Sequence, residues 1–210
     1  MVEQPRLLDL FCCQGGASEG YRRAGFKVVG VDKDPQPRYP WPHRFYQRDA
    51  LDFLRAHGKR FRAVHASPPC QLYTGAQRIQ GNDHPDLVGP VRELLEELDV
   101  PYVIENVVGA PLRPDLVLCG AMFELGTYRH RVFESNVPLT APDHPEHTAK
   151  TTKMGRPPAE GEFMHVVGNF SGVEKAKAAM GIDWMTRDGL REAIPPAYSE
   201  HIGRQLMALL

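Results

Sequence analysis

Short apolar runs alternate with amphipathic stretches through the first half of the chain. Each run is only a few residues long, is rich in Val, Ile and Leu, and stops at a polar residue or a turn, as buried strands do. The stretches between the runs repeat apolar residues every three or four positions, which is the spacing of one helix face. The pattern predicts strands at residues 6–11, 27–31, 63–66 and 102–104, and helices at residues 17–24, 49–57 and 87–98.

This alternation predicts an α/β fold with a doubly wound, mostly parallel sheet of the Rossmann-like kind. Residues 136–161 break the pattern, because Pro, His, Thr and Lys dominate them and little periodicity is visible. We expect a loop-rich insertion there. Helical spacing returns at residues 173–180 and 199–210. We therefore divide the chain into a core at residues 1–134, a short insertion at residues 135–190 and a C-terminal helix at residues 191–210.

Composition restricts the class of protein further. Hydrophobic residues make up 42% of the 210 positions and charged residues 24%, which is ordinary for a globular domain. No apolar run is long enough to span a bilayer, and the first residues do not resemble a signal peptide, so we expect a cytoplasmic protein with no membrane partner. The four cysteines show neither a disulfide framework nor paired metal-ligand spacing, so we expect no metal site.

The formal net charge of −1 does not indicate nucleic-acid binding, but the charge is unevenly distributed. Residues 36–62 carry seven Lys or Arg against two Asp, and Lys150, Lys153 and Arg156 have no acidic residue between them. Solvated surfaces explain any one of these runs. The asymmetry also permits a polyanion on one side of the molecule.

A turn with two glycines follows the first predicted strand and precedes a helix, which places backbone N–H groups beside a bound nucleoside or carboxylate. Asp32 ends the second strand, where a carboxylate can accept hydrogen bonds from ribose hydroxyls, and Asp34 competes for that role. The turn lacks both the lysine of a P-loop and the glycine spacing of a dinucleotide site. It therefore favours a cofactor without phosphates, although a plain tight turn explains it equally well.

Three further strand ends carry groups suited to catalysis. Cys70 follows two prolines after the third strand, where its thiol is a candidate nucleophile or a buried structural cysteine. Glu105 follows an apolar strand, where it can hold a proton, cap a helix or form a salt bridge. Arg129 and Arg131 alternate in a strand-like segment, so we expect them to point the same way, towards an anion or carbonyl or towards solvent.

These segments resemble, in order, the motifs of the cytosine-5 DNA methyltransferases, in particular the small, phage-type members. The resemblance covers almost the whole chain and rests on DLFCCQGG from Asp9, VDKD from Val31, RDALDF from Arg48, SPPCQ from Ser67, IENV from Ile104, RHRVF from Arg129 and AIPPAYSEHIGRQL from Ala193. It implies a catalytic and cofactor-binding core, a reduced target-recognition region at 135–190 and a final helix that completes the cofactor pocket.

The resemblance also implies the chemistry. Methyl transfer from S-adenosylmethionine to carbon 5 of a cytosine, flipped out of double-stranded DNA, would proceed through a covalent bond to Cys70 and leave S-adenosylhomocysteine. Glu105 would act on ring nitrogen 3 of the target base and Arg131 on its exocyclic oxygen, and Arg129 is the fourth implied catalytic residue. The implied cofactor-binding residues are Asp9, Phe11, Cys13, Gly15, Gly16, Asp32, Lys33, Asp49, Ala50, Pro68 and Ser199. The implied DNA contacts are Gln71, Lys150, Lys153 and Arg156, with the loop at residues 168–170 as a further candidate.

The chain departs from the family pattern at three places. Cys13 replaces the first glycine of the cofactor motif, Thr127 replaces a glutamine before the arginines, and the recognition region is much shorter than in fuller members. Three alternatives stay open: the same chemistry on RNA or free nucleotides, a protein that binds cofactor or DNA without catalysis, and transfer of a different group from a modified cofactor. We expect a monomer in a bacterial or phage-infected cell.

Overall fold

A seven-stranded sheet forms the centre of the computed structural model, which describes residues 4–40, 42–73 and 85–210. Its strand order is β3-β2-β1-β4-β5-β7-β6. The first five strands are parallel, and β7 runs antiparallel to both β5 and β6. The strands are β1 (Arg6–Leu10), β2 (Lys27–Asp32), β3 (Arg44–Gln47), β4 (Ala63–Ala66), β5 (Tyr102–Asn106), β6 (Leu116–Leu118) and β7 (Arg131–Ser135).

Helices cover both faces of the sheet. Leu7 of β1 packs in an apolar cluster with residues of α1 and α6, whereas its neighbour Leu8 packs with residues of α2 and α3 on the opposite face. This alternation follows from the two-residue period of a strand. The helices are α1 (Gly16–Arg23), α2 (Ala50–His57), α3 (Val88–Leu98), α4 (Val173–Met180), α5 (Arg187–Glu192) and α6 (Pro196–Leu209). None of the helices within the described residues is long and apolar enough to cross a membrane.

The predicted fold class is confirmed. All four strands and five helices predicted from the sequence are present, with ends within three residues of those expected. The sequence did not predict β3, β6 or α5, and it extended the strand-like segment around β7 too far towards its N-terminus. Residues 136–161 contain no helix and no regular strand. Residues beyond them are more ordered than a loop-rich insertion, because Met164, Phe170 and Met180 belong to an apolar cluster built mainly from α4, α5 and their connections.

The C-terminal helix α6 packs directly against α1, the helix that follows the glycine turn. Glycines make this approach possible: a Cβ on Gly20 would overlap the Pro196 carbonyl and the Ser199 hydroxyl, and a Cβ on Gly203 would lie 2.7 Å from that of Ala24. The helix α6 is thereby fixed beside the helix that follows the glycine turn.

We expect Gly20→Ala to lower the free energy of unfolding by about 1–3 kcal/mol, because the added methyl group must push α6 away from α1. Gly89→Ala is the matched control, since Gly89 is also helical but has nothing within 4 Å of its would-be Cβ. The control should leave stability unchanged or raise it by about 0.5–1 kcal/mol. Urea unfolding of both variants checks this, and equal effects would contradict the close packing of α1 on α6.

Candidate active site

The sheet register brings the predicted site residues to one edge. Leu10 of β1 pairs with Val31 of β2 and with Ala66 of β4, so the glycine turn, Asp32 and the segment leading to Cys70 leave the sheet side by side. Ala66 in turn pairs with Ile104 of β5, directly before Glu105. Because β7 is antiparallel, it begins at this edge, and its first residue, Arg131, lies beside the end of β5.

The segment that carries Cys70 is fixed to the neighbouring strands. The Ser67 backbone N–H donates to the Leu10 carbonyl at 3.1 Å, and the buried Asn106 amide donates to the Pro68 carbonyl at 3.0 Å. The half-buried Cys70 side chain follows within two residues of these contacts. The thiol is therefore held by β1 and β5 rather than carried on a free loop.

Glu105 and Arg131 form an ion pair next to this thiol. Arg131 Nε lies 2.9 Å from Glu105 Oε1, and the side chains are only 13% and 7% exposed, respectively. Burial raises the pKa of Glu105 above its ordinary value, although Arg131, Arg129 and a hydrogen bond from Ser67 act in the opposite direction. A carboxyl group in this environment can take up and release a proton more readily than an exposed glutamate.

The Cys70 thiol responds to the same charges. Burial and the neighbouring Glu105 carboxylate raise the pKa of Cys70, and Arg131 and Arg129 lower it. These groups are therefore close enough to interact electrostatically. Removing the negative charge of Glu105, by protonation or by a bound group, would favour the thiolate.

A buried hydrogen-bond chain that sequence reasoning missed leads to Glu105. Tyr21 Oη lies 2.9 Å from His65 Nδ1, and His65 Nε2 lies 2.8 Å from Ser67 Oγ. Burial lowers the pKa of His65 to about 3, so its ring is neutral. Since Ser67 donates to the Glu105 carboxylate, it must accept from His65 Nε2–H, and His65 Nδ1 must accept from Tyr21. This series of hydrogen bonds orients the Ser67 hydroxyl towards Glu105.

Arg129 acts electrostatically on Glu105 and Cys70, as Arg131 does, but it does not point the same way along a strand as predicted. It has a left-handed backbone with φ 31° and lies before β7, so it does not alternate with Arg131 along a strand. Its guanidinium donates to the carbonyls of Val166, Arg191 and Ala193 at 2.6–2.8 Å. Desolvation and nearby Arg131 lower the pKa of Arg129 to about 9, which leaves it charged at neutral pH. Its contacts join the arginine segment to residues 166–193, which is a positioning role.

The glycine turn has an unusual backbone. Phe11 has φ 58°, Cys13 has φ 45° and Gly15 has φ 81°, all in the left-handed region. Glycine adopts this conformation freely, whereas a cysteine pays about 1–3 kcal/mol in strain. The Asp32 carboxylate compensates in part, because its Oδ2 accepts the Cys13 backbone N–H at 2.9 Å. The turn therefore keeps its shape although Cys13 stands where the related motif has glycine.

The crevice beside this turn suits the polar end and the sugar of a nucleoside cofactor. It is lined by Asp9, the glycine turn, Ser67 and the segment Glu192–Ile194. Asp32 accepts the backbone N–H of Cys13, which lines the crevice. The buried Asp9 Oδ1 has no hydrogen-bond partner. The crevice holds only about 20 Å³. A nucleoside-sized ligand therefore requires lining residues, such as residues 192–194, to move outward.

The other predicted cofactor residues take different positions. Asp49 is exposed and caps α2, and the hydrogen bond from the Arg48 backbone N–H to the Asp32 carbonyl places it near Asp32. Lys33 is exposed beside them, whereas Ala50 and Pro68 are buried. Ser199, which was expected to bind the cofactor, is instead fully buried between α6 and α1. Its hydroxyl donates to the Pro196 carbonyl. Residues 192–194, which precede α6, line the crevice, and Ser199 does not.

Asp9 is expected to make stability depend on pH. Burial raises its pKa from 3.8 to about 7, and its hydrogen bond from Ser18 only partly opposes this. Because the pKa of Asp9 is higher in the folded state, the protonated carboxyl stabilises the fold fully at a pH below its unfolded-state pKa. This stabilisation is lost as the pH rises through its folded-state pKa. We expect the titration of Asp9 to lower the free energy of unfolding by about 4 kcal/mol as the pH rises from 4 to 7.

Denaturant unfolding across this range in wild type and Asp9→Asn measures the cost. The difference between the two proteins should grow in favour of Asp9→Asn as the pH rises. Asp52→Asn is the control, because Asp52 is exposed and pairs with Arg55 on the surface of α2. A constant difference between wild type and Asp9→Asn would show that the Asp9 carboxyl does not titrate in this range.

Comparison with known proteins identifies the fold. No protein-family model and no curated protein matches the chain. Among solved structures, a protein assigned as a DNA modification methyltransferase of an E. coli prophage has a TM-score of 0.67 at 15% identity, covering 98% of this chain and 99% of that one. The S. pombe Dnmt2 methyltransferase has a TM-score of 0.64 and the Entamoeba histolytica methyltransferase EhMeth 0.59, each at 13% identity and 99% of both chains. The chain has a methyltransferase fold.

A groove lies beside the arginine segment of this methyltransferase fold. It has a volume of about 820 Å³ and runs from Val108–Leu112, after β5, past the arginine segment to Met164–Val167. Of the predicted DNA contacts, Lys150 and Lys153 are exposed on either side of Thr151, which lines the groove. Gln71 is exposed one residue after Cys70. Arg156 differs from the expectation, because it forms an ion pair with Glu162 and is not an unpaired cation.

No metal site was expected from the sequence, but four residues that could hold a metal ion lie close together. Cys119, His130, His144 and His147 bring one ligand atom each to within 4.8 Å of one another, beside the arginine segment of the methyltransferase fold. Sequence spacing gave little indication of this cluster, because Cys119 and His130 stand alone and do not form a second close pair. A signal was present in the two histidines of residues 144–147, three positions apart in the segment without regular structure.

Proposed function

We propose that this chain is a cytosine-5 methyltransferase that uses S-adenosylmethionine and acts on DNA, with Cys70 as the nucleophile. The observation that carries the proposal is the placement of Cys70 beside the buried Glu105–Arg131 pair, at the same sheet edge as the glycine turn and Asp32. A nucleophile, a proton carrier and a fixed positive charge are thereby combined next to a crevice with donors and acceptors for a nucleoside.

The first step uses all three groups. Carbon 5 of cytosine is a poor nucleophile until the Cys70 sulfur adds to carbon 6, which breaks the aromaticity of the ring and makes carbon 5 enamine-like. Negative charge develops on ring nitrogen 3 and on the exocyclic oxygen. Glu105 provides the proton at nitrogen 3 and Arg131 donates to the oxygen, so the developing charge is neutralised.

The second step completes the transfer. S-adenosylmethionine, when bound, supplies an electrophilic methyl group for carbon 5. A base then removes the proton from carbon 5, Cys70 leaves carbon 6 as a thiolate, and nitrogen 3 returns its proton to Glu105, which restores the aromatic ring and the free enzyme. Ser67 connects the two halves of the site, because it lines the cofactor crevice and donates to Glu105.

The cofactor proposal rests on the chemistry of the crevice. Asp32 would accept ribose hydroxyls, and the N–H groups of the glycine turn at the start of α1 would hold the carboxylate end of the ligand. The partnerless Asp9 Oδ1 suits the positive end of the same ligand. Asp49 lies where it can contact the adenine beyond Asp32.

DNA is the proposed substrate, with the target cytosine flipped out of the duplex because Cys70 cannot reach carbon 6 inside the stack. Residues 135–190 are the proposed recognition region, since they form one wall of the groove beside the arginine segment. Lys150 and Lys153 are the proposed phosphate contacts. The resemblance in fold to a protein assigned as a DNA modification methyltransferase supports this choice.

Transfer of a labelled methyl group tests the proposal and separates its alternatives. Purified protein is incubated with methyl-labelled S-adenosylmethionine and, in parallel, with duplex DNA of mixed sequence, transfer RNA or free cytosine nucleotides, and the product bases are separated. We expect label in 5-methylcytosine from DNA. Label only in RNA or nucleotides would overturn the substrate, and label in no base at saturating cofactor would favour a binding protein without catalysis.

A further inference from the structure

A cluster of one thiol and three imidazoles lies outside the proposed reaction. Cys119 follows β6 and is buried, His130 stands between the two arginines before β7, and His144 and His147 are exposed in the segment after β7. Within the cluster, Cys119 Sγ lies 3.3 Å from His147 Nε2, and His130 Nε2 lies 3.3 Å from His144 Nε2. All four ligand atoms are within 4.8 Å of one another.

We propose that Cys119, His130, His144 and His147 bind one zinc ion. Thiolate and imidazole are the ligands that zinc prefers, and four protein ligands are the usual set of a closed structural site. In a tetrahedral site with ordinary zinc–sulfur and zinc–nitrogen bond lengths, neighbouring ligand atoms are about 3.3–3.6 Å apart. The two pairs in contact already have this separation, so only small side-chain movements close the site.

The ring nitrogens of the cluster cannot all be satisfied by hydrogen bonds to one another. Two ring nitrogens that face each other at 3.3 Å can share at most one hydrogen bond, and no acidic residue belongs to the cluster. The three rings are nevertheless crowded together, with centroids 4.9–5.5 Å apart. A zinc ion would use a lone pair from every one of the four ligand atoms and so account for their convergence.

The surroundings orient at least one ligand. The Tyr128 ring stacks on His147 with centroids 3.6 Å apart and an interplanar angle of 20°. Tyr128 Oη also donates to the Ala149 carbonyl and accepts the Ala149 N–H, at 3.0 and 2.9 Å. These contacts fix the segment around His147, in the way that outer-shell contacts commonly hold a metal-ligating histidine.

The proposed role of the ion is to fasten residues 136–150 to the catalytic edge. This segment contains no helix or strand, and most of its side chains are exposed, so apolar burial contributes little to its order. Because His130 immediately precedes Arg131, a zinc ion would also fix the segment that pairs with Glu105. The proposal itself does not depend on methyl transfer or on DNA binding.

Metal content of untagged protein, purified under reducing conditions, tests the inference. After treatment with a chelator, wild type is dialysed against zinc(II) or cobalt(II), and bound metal is measured by mass spectrometry. We expect about one metal per chain, and cobalt spectra with the intense visible bands of tetrahedral geometry together with thiolate-to-cobalt charge transfer. Removing a ligand should weaken binding by more than the roughly 10- to 100-fold typical of outer-shell substitutions.

The decisive variant is the double substitution His144→Ala/His147→Ala, because both side chains are exposed and their loss should not prevent folding. It should lose the metal and the charge-transfer band, and a chelator should lower the melting temperature of wild type but not that of the variant. Cys119→Ser should abolish the charge-transfer band. His201→Gln is the matched control, since His201 contacts Thr140 in the same segment outside the cluster. Wild type that binds no zinc or cobalt, or a double variant that binds them as well as wild type does, would overturn the proposal.

Discussion

Cys70→Ala should lower the rate of methyl transfer by about 10⁴-fold or more, because no other group in the site can add to carbon 6 of cytosine. The side chain is half-buried and makes no ion pair, so its truncation should leave the fold intact. Binding of S-adenosylmethionine, measured by calorimetry, should change little. Transfer that survives in Cys70→Ala at more than a few per cent of wild type would exclude the covalent route.

Glu105→Gln should lower the rate by roughly 10²–10⁴-fold, since the amide cannot pass a proton to ring nitrogen 3. The pH profile should change as well. In wild type the reactive form carries one proton on the Cys70–Glu105 pair, so the rate rises through the Glu105 pKa, above 4.5, and falls beyond the Cys70 pKa, above 9.0. In Glu105→Gln the bell shape should be lost, because Cys70 is then the only titrating group of the pair, and the residual rate should rise with pH as Cys70 ionises without a fall at high pH.

Glu134→Gln is the matched control for this second prediction. Glu134 is also a fully buried carboxylate paired with an arginine, Arg92 of α3, at 2.6 Å, and it also belongs to the central sheet. Breaking either buried ion pair should cost about 3–5 kcal/mol of stability. Only Glu105→Gln should change the pH profile of transfer. Equal loss of transfer in both variants would reduce Glu105 to a structural role.

Residues at strand ends were predictable because the parallel sheet is strongly determined by local pattern. Buried strands such as β4 read as short apolar runs, and parallel strands place their carboxyl ends together, so the proximity of Asp32, Cys70 and Glu105 follows from the order of elements. The missed elements lack this local signal. β3 is a partly exposed edge strand, β6 has only three residues, and α5 is six residues long with Gly189 inside it.

Contacts between distant parts of the chain were not predictable. Arg129 was expected to point the same way as Arg131, but its donors bind carbonyls 37–64 residues further along. Ser199 turned away from the cofactor crevice because Gly20 draws α6 against α1. The Cys119 cluster has the same origin, since the fold alone brings β6 and residues 144–147 together. Such features depend on tertiary packing, which spacing along the sequence does not encode.

Attack of Cys70 on cytosine is the central step of the proposed mechanism, and a trapping experiment measures it directly. Duplex DNA carrying 5-fluorocytosine is incubated with the protein and S-adenosylmethionine, and the mixture is analysed by denaturing mass spectrometry. Fluorine at carbon 5 prevents loss of the substituent, so the enzyme should remain covalently bound to a methylated base. We predict an adduct that requires S-adenosylmethionine and is absent in Cys70→Ala. No adduct on DNA of varied sequence, or an adduct that persists in Cys70→Ala, would contradict the proposed mechanism.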